Sequence, residues 1–317
     1  MLNRNIKYSQ AHAKPFVKWV GGKSQLISII EQTLPAELFK IPELTYIEPF
    51  VGGGAMLFWV LNNVKNINNI VINDINSDLT TAYQTIRDSV SDLVIELKRI
   101  EKEYKALQSE SSRKEFYLLQ RDRFNSLKLD NIENTTLFIF LNRTCFNGLY
   151  RVNSKGLFNV PFGKYINPTI CDEDTIFADS ELLQKVEILT GDFEKTLKHA
   201  TENTFFYLDP PYKPLSKTSS FKSYAKEDFN DNEQIRLKQF CDKLDRKGHF
   251  WILSNSDLKS NDPTNDFFDE LYSKYKIKRV WASRSINANP EKRGKLTELL
   301  ITNYYHEKLV SHSQLVG

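Results

Sequence analysis

The sequence predicts an α/β fold with a mostly parallel sheet, and three observations predict it. Short apolar runs recur along the chain, helical stretches separate several of them, and one long central block breaks the alternation. Seven runs read as buried strands: 45–48, 70–73, 186–190, 204–208, 248–254, 277–282 and 297–303. The last two are joined by residues 283–296, too short and too rich in Asn, Pro and Gly for a crossover helix. They are therefore expected to pair antiparallel, ending a mixed sheet in a hairpin.

The central block reads as helices over 93–107, 114–127 and 134–144, followed by a Gly-, Asn- and Pro-rich loop region up to Pro168. A chain of 317 residues suits one large domain with an inserted module. We expect residues 1–78 and 175–317 to form the sheet domain and 79–174 the mainly helical insert, which is placed to choose the substrate. The polar tail after Glu307 is expected to fray.

Composition excludes several classes. With 40% hydrophobic and 26% charged residues the chain is an ordinary globular one. No stretch approaches eighteen apolar residues, and Met1 to Lys14 is too polar for a signal peptide, so a cytoplasmic protein with no membrane partner is expected. Cys145, Cys171 and Cys241 form no Cys-x-x-Cys pair and the five histidines lack ligand spacing, so no metal is expected. The net charge of +3 is too small to imply nucleic acid, but its distribution is uneven. Three acid-free runs, 134–171, 210–226 and 271–290, carry Arg143, Arg151, Lys155 and Lys164, then Lys213, Lys217, Lys222 and Lys226, then Lys274, Lys276, Lys278, Arg279 and Arg284. One run is an ordinary solvated face; three together read as a path for a phosphate backbone.

Two motifs carry chemistry. In 46–54 (YIEPFVGGG) a strand runs into three glycines and an apolar helix, which lets backbone approach a ligand beside a helix N-terminus. Asp74 ends the next strand, 22 residues after Gly52, where an acid can take ribose hydroxyls. A tight turn plus a helix-capping aspartate is the plain alternative. In 205–212 (FFYLDPPY) an aromatic strand stops at two prolines and presents an acid, a fixed backbone and a ring. Each proline fixes its φ and donates no hydrogen bond, so the carbonyls of Asp209 and Pro210 have restricted directions. An exocyclic aromatic amine is a poor nucleophile because its lone pair is delocalised into the ring. If the Asp209 carboxylate and the Pro210 carbonyl accept its two hydrogens, the nitrogen turns tetrahedral and its lone pair faces a methyl donor. Tyr212 can stack on the base. A Pro-rich turn after a strand is the competing reading.

These segments, in this order, resemble the adenine-N6 DNA methyltransferases of the Dam and DpnII-type group, the alpha arrangement of the D12 class. The resemblance runs from Pro15 to Tyr304 and rests on 15–23 (PFVKWVGGK), 48–54 (EPFVGGG), 73–78 (NDINSD), 146–165 (FNGLYRVNSKGLFNVPFGKY) and 209–212 (DPPY). It implies a seven-stranded Rossmann-like methyltransferase sheet and S-adenosylmethionine as cofactor. It places Trp19, Lys23, Glu48, Gly52 and Gly54 around that cofactor, Asp74 on its ribose, Asp192 and Phe193 beside its adenine, and Asp209 on its amino group as well as on the target base. Double-stranded DNA is the implied substrate, and the base must leave the stack to reach a buried donor. Residues 213–224 are then the flap beside the extruded adenine.

The resemblance further implies that the enzyme reads GATC: Arg151 a guanine, Leu149 and Pro161 the thymine methyl, and Lys18 the first base pair. Phe146 becomes a wedge in the stack, with Arg143, Asn147, Lys164 and Tyr165 as phosphate or supporting contacts. Tyr150 between Leu149 and Arg151, and the Gly156–Leu157 turn, depart from some relatives. A cognate restriction endonuclease would share the site without needing to bind the protein. Cytosine-N4 methylation by the same chemistry, a DNA-binding protein with an inactive cofactor site, and a nicotinamide-dependent oxidoreductase stay open as alternatives. The last leaves the two-proline motif and the basic runs unexplained.

Overall fold

Seven strands in the order β3-β2-β1-β4-β5-β7-β6 form a single sheet. The computed structural model describes residues 12–19, 26–126, 129–213, 229–283 and 295–304. The strands are β1 (Leu44–Glu48), β2 (Ile67–Asp74), β3 (Val186–Thr190), β4 (Thr204–Leu208), β5 (Phe250–Ser256), β6 (Lys276–Ser283) and β7 (Lys295–Thr302). β1 to β5 are parallel, and β7 pairs antiparallel with both β5 and β6. All seven expected strands are present, and β3 and β4 have the expected bounds. β2 begins earlier than expected because Asn68 and Asn69 interrupt its apolar run while still lying in the strand.

Period-two alternation feeds two cores, one on each face. Tyr46, Phe205, Tyr207, Ile252 and Leu300 belong to one apolar cluster; Ile47, Phe206, Leu208, Trp251, Leu253 and Ile301 belong to the other. On the side of the first face lie α2 (Ala55–Asn63) and α3 (Ser77–Asp88), with α6 (Asn131–Thr144) and α7 (Glu173–Leu183) packed on α3 and joining the same apolar cluster. Against the second packs α8 (Asp231–Arg246), through Leu237, Phe240, Cys241 and Leu244. The apolar stripes explain which side of each helix is buried, and caps explain where several begin: Asn76 accepts from Leu79, Asp130 from Glu133 and Asn230 from Glu233. α4 (Val90–Ala106) and α5 (Glu110–Phe124) complete the central block, and their buried Leu97, Tyr104 and Tyr117 join the first cluster. α1 (Ile27–Glu31) and α9 (Phe267–Leu271) are short.

On α7, Asp179 is fully buried, with Oδ1 accepting from the Lys14 N–H at 3.0 Å and Oδ2 lacking a partner among the described residues. Burial pushes its carboxyl up from the ordinary value to about 8. A raised folded pKa means stability is fully present below the unfolded pKa and is lost as pH rises through about 8. Urea unfolding should therefore show the wild type weaker at pH 9 than at pH 5, with Asp179→Asn flattening that difference. Equal slopes for the two proteins would remove Asp179 as the cause.

No described helix is long and apolar enough to cross a membrane, and among the described residues no cluster of His, Cys, Asp or Glu could hold a metal.

Candidate active site

The carboxyl ends of five parallel strands meet at one edge of the sheet, where ligands bind in open α/β sheets. β1 delivers Glu48 and the glycine turn, β2 Asp74, β3 Gly191 and Asp192, β4 Asp209, and β5 Ser254 to Ser256. Backbone bonds sew these ends together. The Val51 N–H donates to the Asn73 carbonyl and the Gly191 N–H to the Asp74 carbonyl, both at 2.9 Å. Asn73, almost wholly buried, donates its amide to the carbonyls of Pro49 and Gly191, both at 2.9 Å.

Asp74 closes the glycine turn. Its Oδ2 accepts the Gly52 N–H at 3.0 Å and its Oδ1 the Asn76 N–H at 2.9 Å. Burial raises its carboxyl pKa, with these backbone donors opposing. A Cβ on Gly52 would lie 2.9 Å from Trp19 Cδ1, and Gly52 also has φ +48, so this glycine answers to the Trp19 ring as well as to any ligand. Gly54, the N-cap of α2 with φ +76, leaves no room for a side chain against the Tyr83 hydroxyl. The far side of Trp19 stacks on Tyr150, with centroids 5.6 Å apart, and the Tyr150 hydroxyl donates to Asp78 at 2.7 Å. The aromatic that departs from some relatives thus packs directly against a residue expected at the cofactor.

Glu48 is buried and accepts the Tyr46 hydroxyl at 2.7 Å. Burial first, then the nearby charges of Asp209 and Asp74, push its carboxyl well up. Three carboxyls at one sheet edge make a site that favours a cation, and together with the glycine turn they fit a nucleoside bearing a positive sulfonium and an ammonium group.

The Asp209 corner, the expected catalytic motif, is held from β5 and α8. Ser254 Oγ donates to Asp209 Oδ1 at 2.8 Å, the Gln234 amide to the Pro211 carbonyl at 3.4 Å, and Ser256 Oγ to the Lys213 carbonyl at 2.9 Å. Asn255 in turn donates to Gln234 Oε1 at 3.0 Å. Tyr212 is half-buried and donates to Glu298 Oε2 at 2.7 Å. None of these supports was singled out from sequence, because each is an ordinary polar residue made informative only by folding.

Asp192 and Phe193 lie at the β3 end, where Phe193 packs on Phe50 at 5.2 Å. Asp192 is gripped by both terminal nitrogens of Arg236, at 3.1 and 2.7 Å, and Arg236 lies 4.3 Å over the Phe193 ring. That guanidinium is the first cause of the lowered Asp192 pKa. Lys23 and residues 214–224 of the expected flap lie outside the described residues.

The expected DNA-reading residues gather on the loop after α6. Phe146, Asn147, Pro161 and Lys164 are exposed, Leu149, Arg151 and Tyr165 half-buried. The helical block serves as their frame. Tyr104 donates to the Tyr165 carbonyl at 2.6 Å, Tyr117 to the Val160 carbonyl at 2.8 Å, and Asn125 exchanges two bonds with the backbone of Phe158. Asn142, nearly fully buried, accepts the Lys18 N–H at 2.8 Å and donates to the carbonyls of Lys18 at 2.8 Å and Gly148 at 3.0 Å. It therefore joins exposed Lys18 to the loop. Arg143 points inward, donating to the Phe16 carbonyl at 2.7 Å, which is the supporting contact rather than a phosphate contact. Lys164 pairs with Glu110 at 2.9 Å.

The third acid-free run does not stay acid-free in space. Lys274 pairs with Asp245, and Arg279 with Asp257 and Asp269, so two of the five basic residues in this stretch are matched by acids of neighbouring elements. The expectation of a continuous phosphate path is corrected at that stretch.

The family model for D12 class N6 adenine-specific DNA methyltransferases matches residues 19–286. The chain is 49% identical to the Type II methyltransferase M.MjaIII of Methanocaldococcus jannaschii, over 92% of this chain and 99% of that protein. It is 38% identical to the Type II methyltransferase M1.LlaDCHI of Lactococcus lactis subsp. cremoris, over 94% and 98% of the two chains. It is 34% identical to the DNA adenine methylase of Haemophilus influenzae, over 90% and 92%. These matches span the glycine turn, the loop after α6 and the Asp209 corner together, and the chain belongs to the D12 class N6 adenine-specific DNA methyltransferases.

Proposed function

We propose that the enzyme methylates N6 of an adenine extruded from GATC in duplex DNA, with Asp209 and Pro210 as the two hydrogen acceptors and Tyr212 as the stacking ring. The observation that carries this reading is the hold of Ser254 on Asp209, at the strand end beside Glu48 and Asp74. One carboxylate oxygen is fixed by the serine, and the proline-locked carbonyl follows it directly in the chain. The base then meets acceptors already aligned, which is how preorganised groups lower a barrier. S-adenosylmethionine supplies the methyl group from its sulfonium. Trp19, Lys23, Glu48, Gly52, Gly54, Asp74, Asp192, Phe193 and Asp209 hold it, Asp74 at the ribose. Residues 79–174, carrying the framed loop, form the target-recognition domain in this reading, and residues 1–78 and 175–317 the catalytic one.

Base reading falls to Lys18, Leu149, Arg151 and Pro161, with Phe146 as the wedge, Asn147, Lys164 and Tyr165 around the backbone, and Arg143 supporting them from the Phe16 carbonyl. Asn159 Oδ1 accepts Arg151 Nε at 2.7 Å and the Asn159 carbonyl accepts Nη2 at 3.1 Å. With that edge fixed, the terminal nitrogens present a fork suited to guanine O6 and N7. Arg151→Ala should cost about 1–3 kcal/mol of discrimination at a single guanine. Methylation rates on duplexes altered at each position check this; a loss spread evenly over all positions would reassign Arg151 to the phosphates.

The Type II names of two relatives support a role as modification partner of a restriction endonuclease, in the cytoplasm. Expression in a host lacking DNA methylation, followed by sequencing of modified bases, tests the site: modified adenines outside GATC would overturn that specificity.

A further inference from the structure

Tyr212 is tied, at the end of its ring, to a residue that no catalytic motif contains. Its hydroxyl donates to Glu298 Oε2 across 86 positions of sequence. Glu298 stands in the middle of β7, opposite Ser256 of β5 and Val280 of β6, and is only 8% exposed. Its followers Leu299, Leu300 and Ile301 are apolar and buried. A carboxylate among them carries a desolvation cost that a leucine or valine would avoid, so its presence calls for a partner that uses it. The Tyr212 phenol is such a partner. Burial, then the charges of Asp209 and Glu298, push the phenol pKa well up, so it remains a donor.

The two ends of the corner are thus anchored to adjacent strands. Asp209 is held by Ser254 of β5, and the Tyr212 ring by Glu298 of the neighbouring β7. A tyrosine held only by its Cβ can turn about χ1 and χ2, whereas a ring pinned at its hydroxyl has one plane to offer. We propose that Glu298 is a positioning residue for methyl transfer: by holding the Tyr212 hydroxyl it fixes the plane on which the extruded adenine stacks, and so the angle at which N6 meets Asp209 and Pro210. The inference rests on the reading of Tyr212 as the stacking ring.

The test is a double-mutant cycle on Glu298→Ala and Tyr212→Phe, read by single-turnover methylation of a cognate duplex. Cofactor affinity, duplex affinity and thermal midpoint are measured in parallel. Each single change should slow transfer about tenfold, the loss of one charge-assisted hydrogen bond. The double variant should be no slower than the slower single, because both remove the same bond. Glu298→Gln, which keeps an accepting oxygen, should recover most of the rate. Cofactor affinity should stay within about twofold of wild type, since the bond acts on the base and not on the donor. Fluorescence of 2-aminopurine at the target position should still rise on binding, showing extrusion without productive stacking.

Multiplicative losses in the double variant, wild-type rates in both singles, or no recovery with Glu298→Gln would overturn the proposal. Should Glu298→Ala fail to fold, Tyr212→Phe and Glu298→Gln decide it: a slow Tyr212→Phe beside a near-normal Glu298→Gln supports the tether, and any other pair of results sinks it. Tyr212→Ala separates this inference from the reading beneath it. Full turnover by Tyr212→Ala removes the stacking ring altogether, whereas a slow Tyr212→Ala beside a fast Tyr212→Phe removes only the tether.

Discussion

Asp209→Ala should lower the rate of methyl transfer by about a thousandfold or more while leaving duplex binding within about threefold of wild type. The carboxylate is one of only two acceptors the mechanism offers the amine, and without it the nitrogen keeps its lone pair in the ring. Removing it also removes one of the three carboxyls clustered at this end of the sheet, beside Glu48 and Asp74. In the proposed reading, duplex affinity is governed by the loop after α6 and by phosphate contacts, away from Asp209. Single-turnover transfer from labelled cofactor, with gel-shift titration of the same duplex, separates the two effects. Turnover near wild type would take Asp209 out of the chemistry, and a parallel collapse of both quantities would mean that the change had disrupted the fold.

Asp74→Ala should weaken cofactor binding by about a hundredfold or more, because in the proposed reading two ribose hydroxyls each lose a hydrogen bond to its carboxyl. The same carboxylate holds the Gly52 and Asn76 N–H groups, so part of the loss comes from a loosened turn. Calorimetric titration with the cofactor, beside thermal unfolding of the protein alone, apportions the two. Unchanged affinity would refute the ribose assignment. A drop in thermal midpoint with proportionate weakening would make Asp74 a turn-closing residue only.

The contrast between these carboxylates and the residues that hold them marks what the sequence makes legible. Asp209 ends an apolar run stopped by two prolines, and Asp74 follows an apolar run that gives way to Asn and Ser, so local pattern alone puts both at strand ends. The sheet is legible for the same reason: the continuous burial of β4 and β5 on both faces is written into the unbroken apolar runs FFYL and FWIL. Ser254, Glu298, Gln234 and Arg236 were not legible, since each acts on a partner far along the chain and nothing local distinguishes it from a surface residue. Glu298 in particular reads as the polar member of an alternating strand until Tyr212 arrives beside it.

Charge shows the opposite failure. The run from Leu271 to Pro290 looked like a basic strip because its acids, Asp245, Asp257 and Asp269, come from elsewhere in the chain. The loop after α6 kept its character better. Its expected DNA-reading side chains stay at or near the surface, and the helical block takes its backbone carbonyls through Tyr104, Tyr117 and Asn142. The glycines of the turn were legible as a close approach, but Trp19, not only a ligand, is what approaches Gly52.

The central claim is that the Asp209 corner aligns the exocyclic amine of an extruded adenine. Its most direct test is to incubate the full chain with isotope-labelled S-adenosylmethionine and a duplex containing one GATC, digest the DNA to nucleosides and identify the labelled product by mass spectrometry. The account predicts label in N6-methyl-2′-deoxyadenosine alone, lost with Asp209→Ala; label in N4-methyl-2′-deoxycytidine, or a wild-type yield from Asp209→Ala, would contradict it.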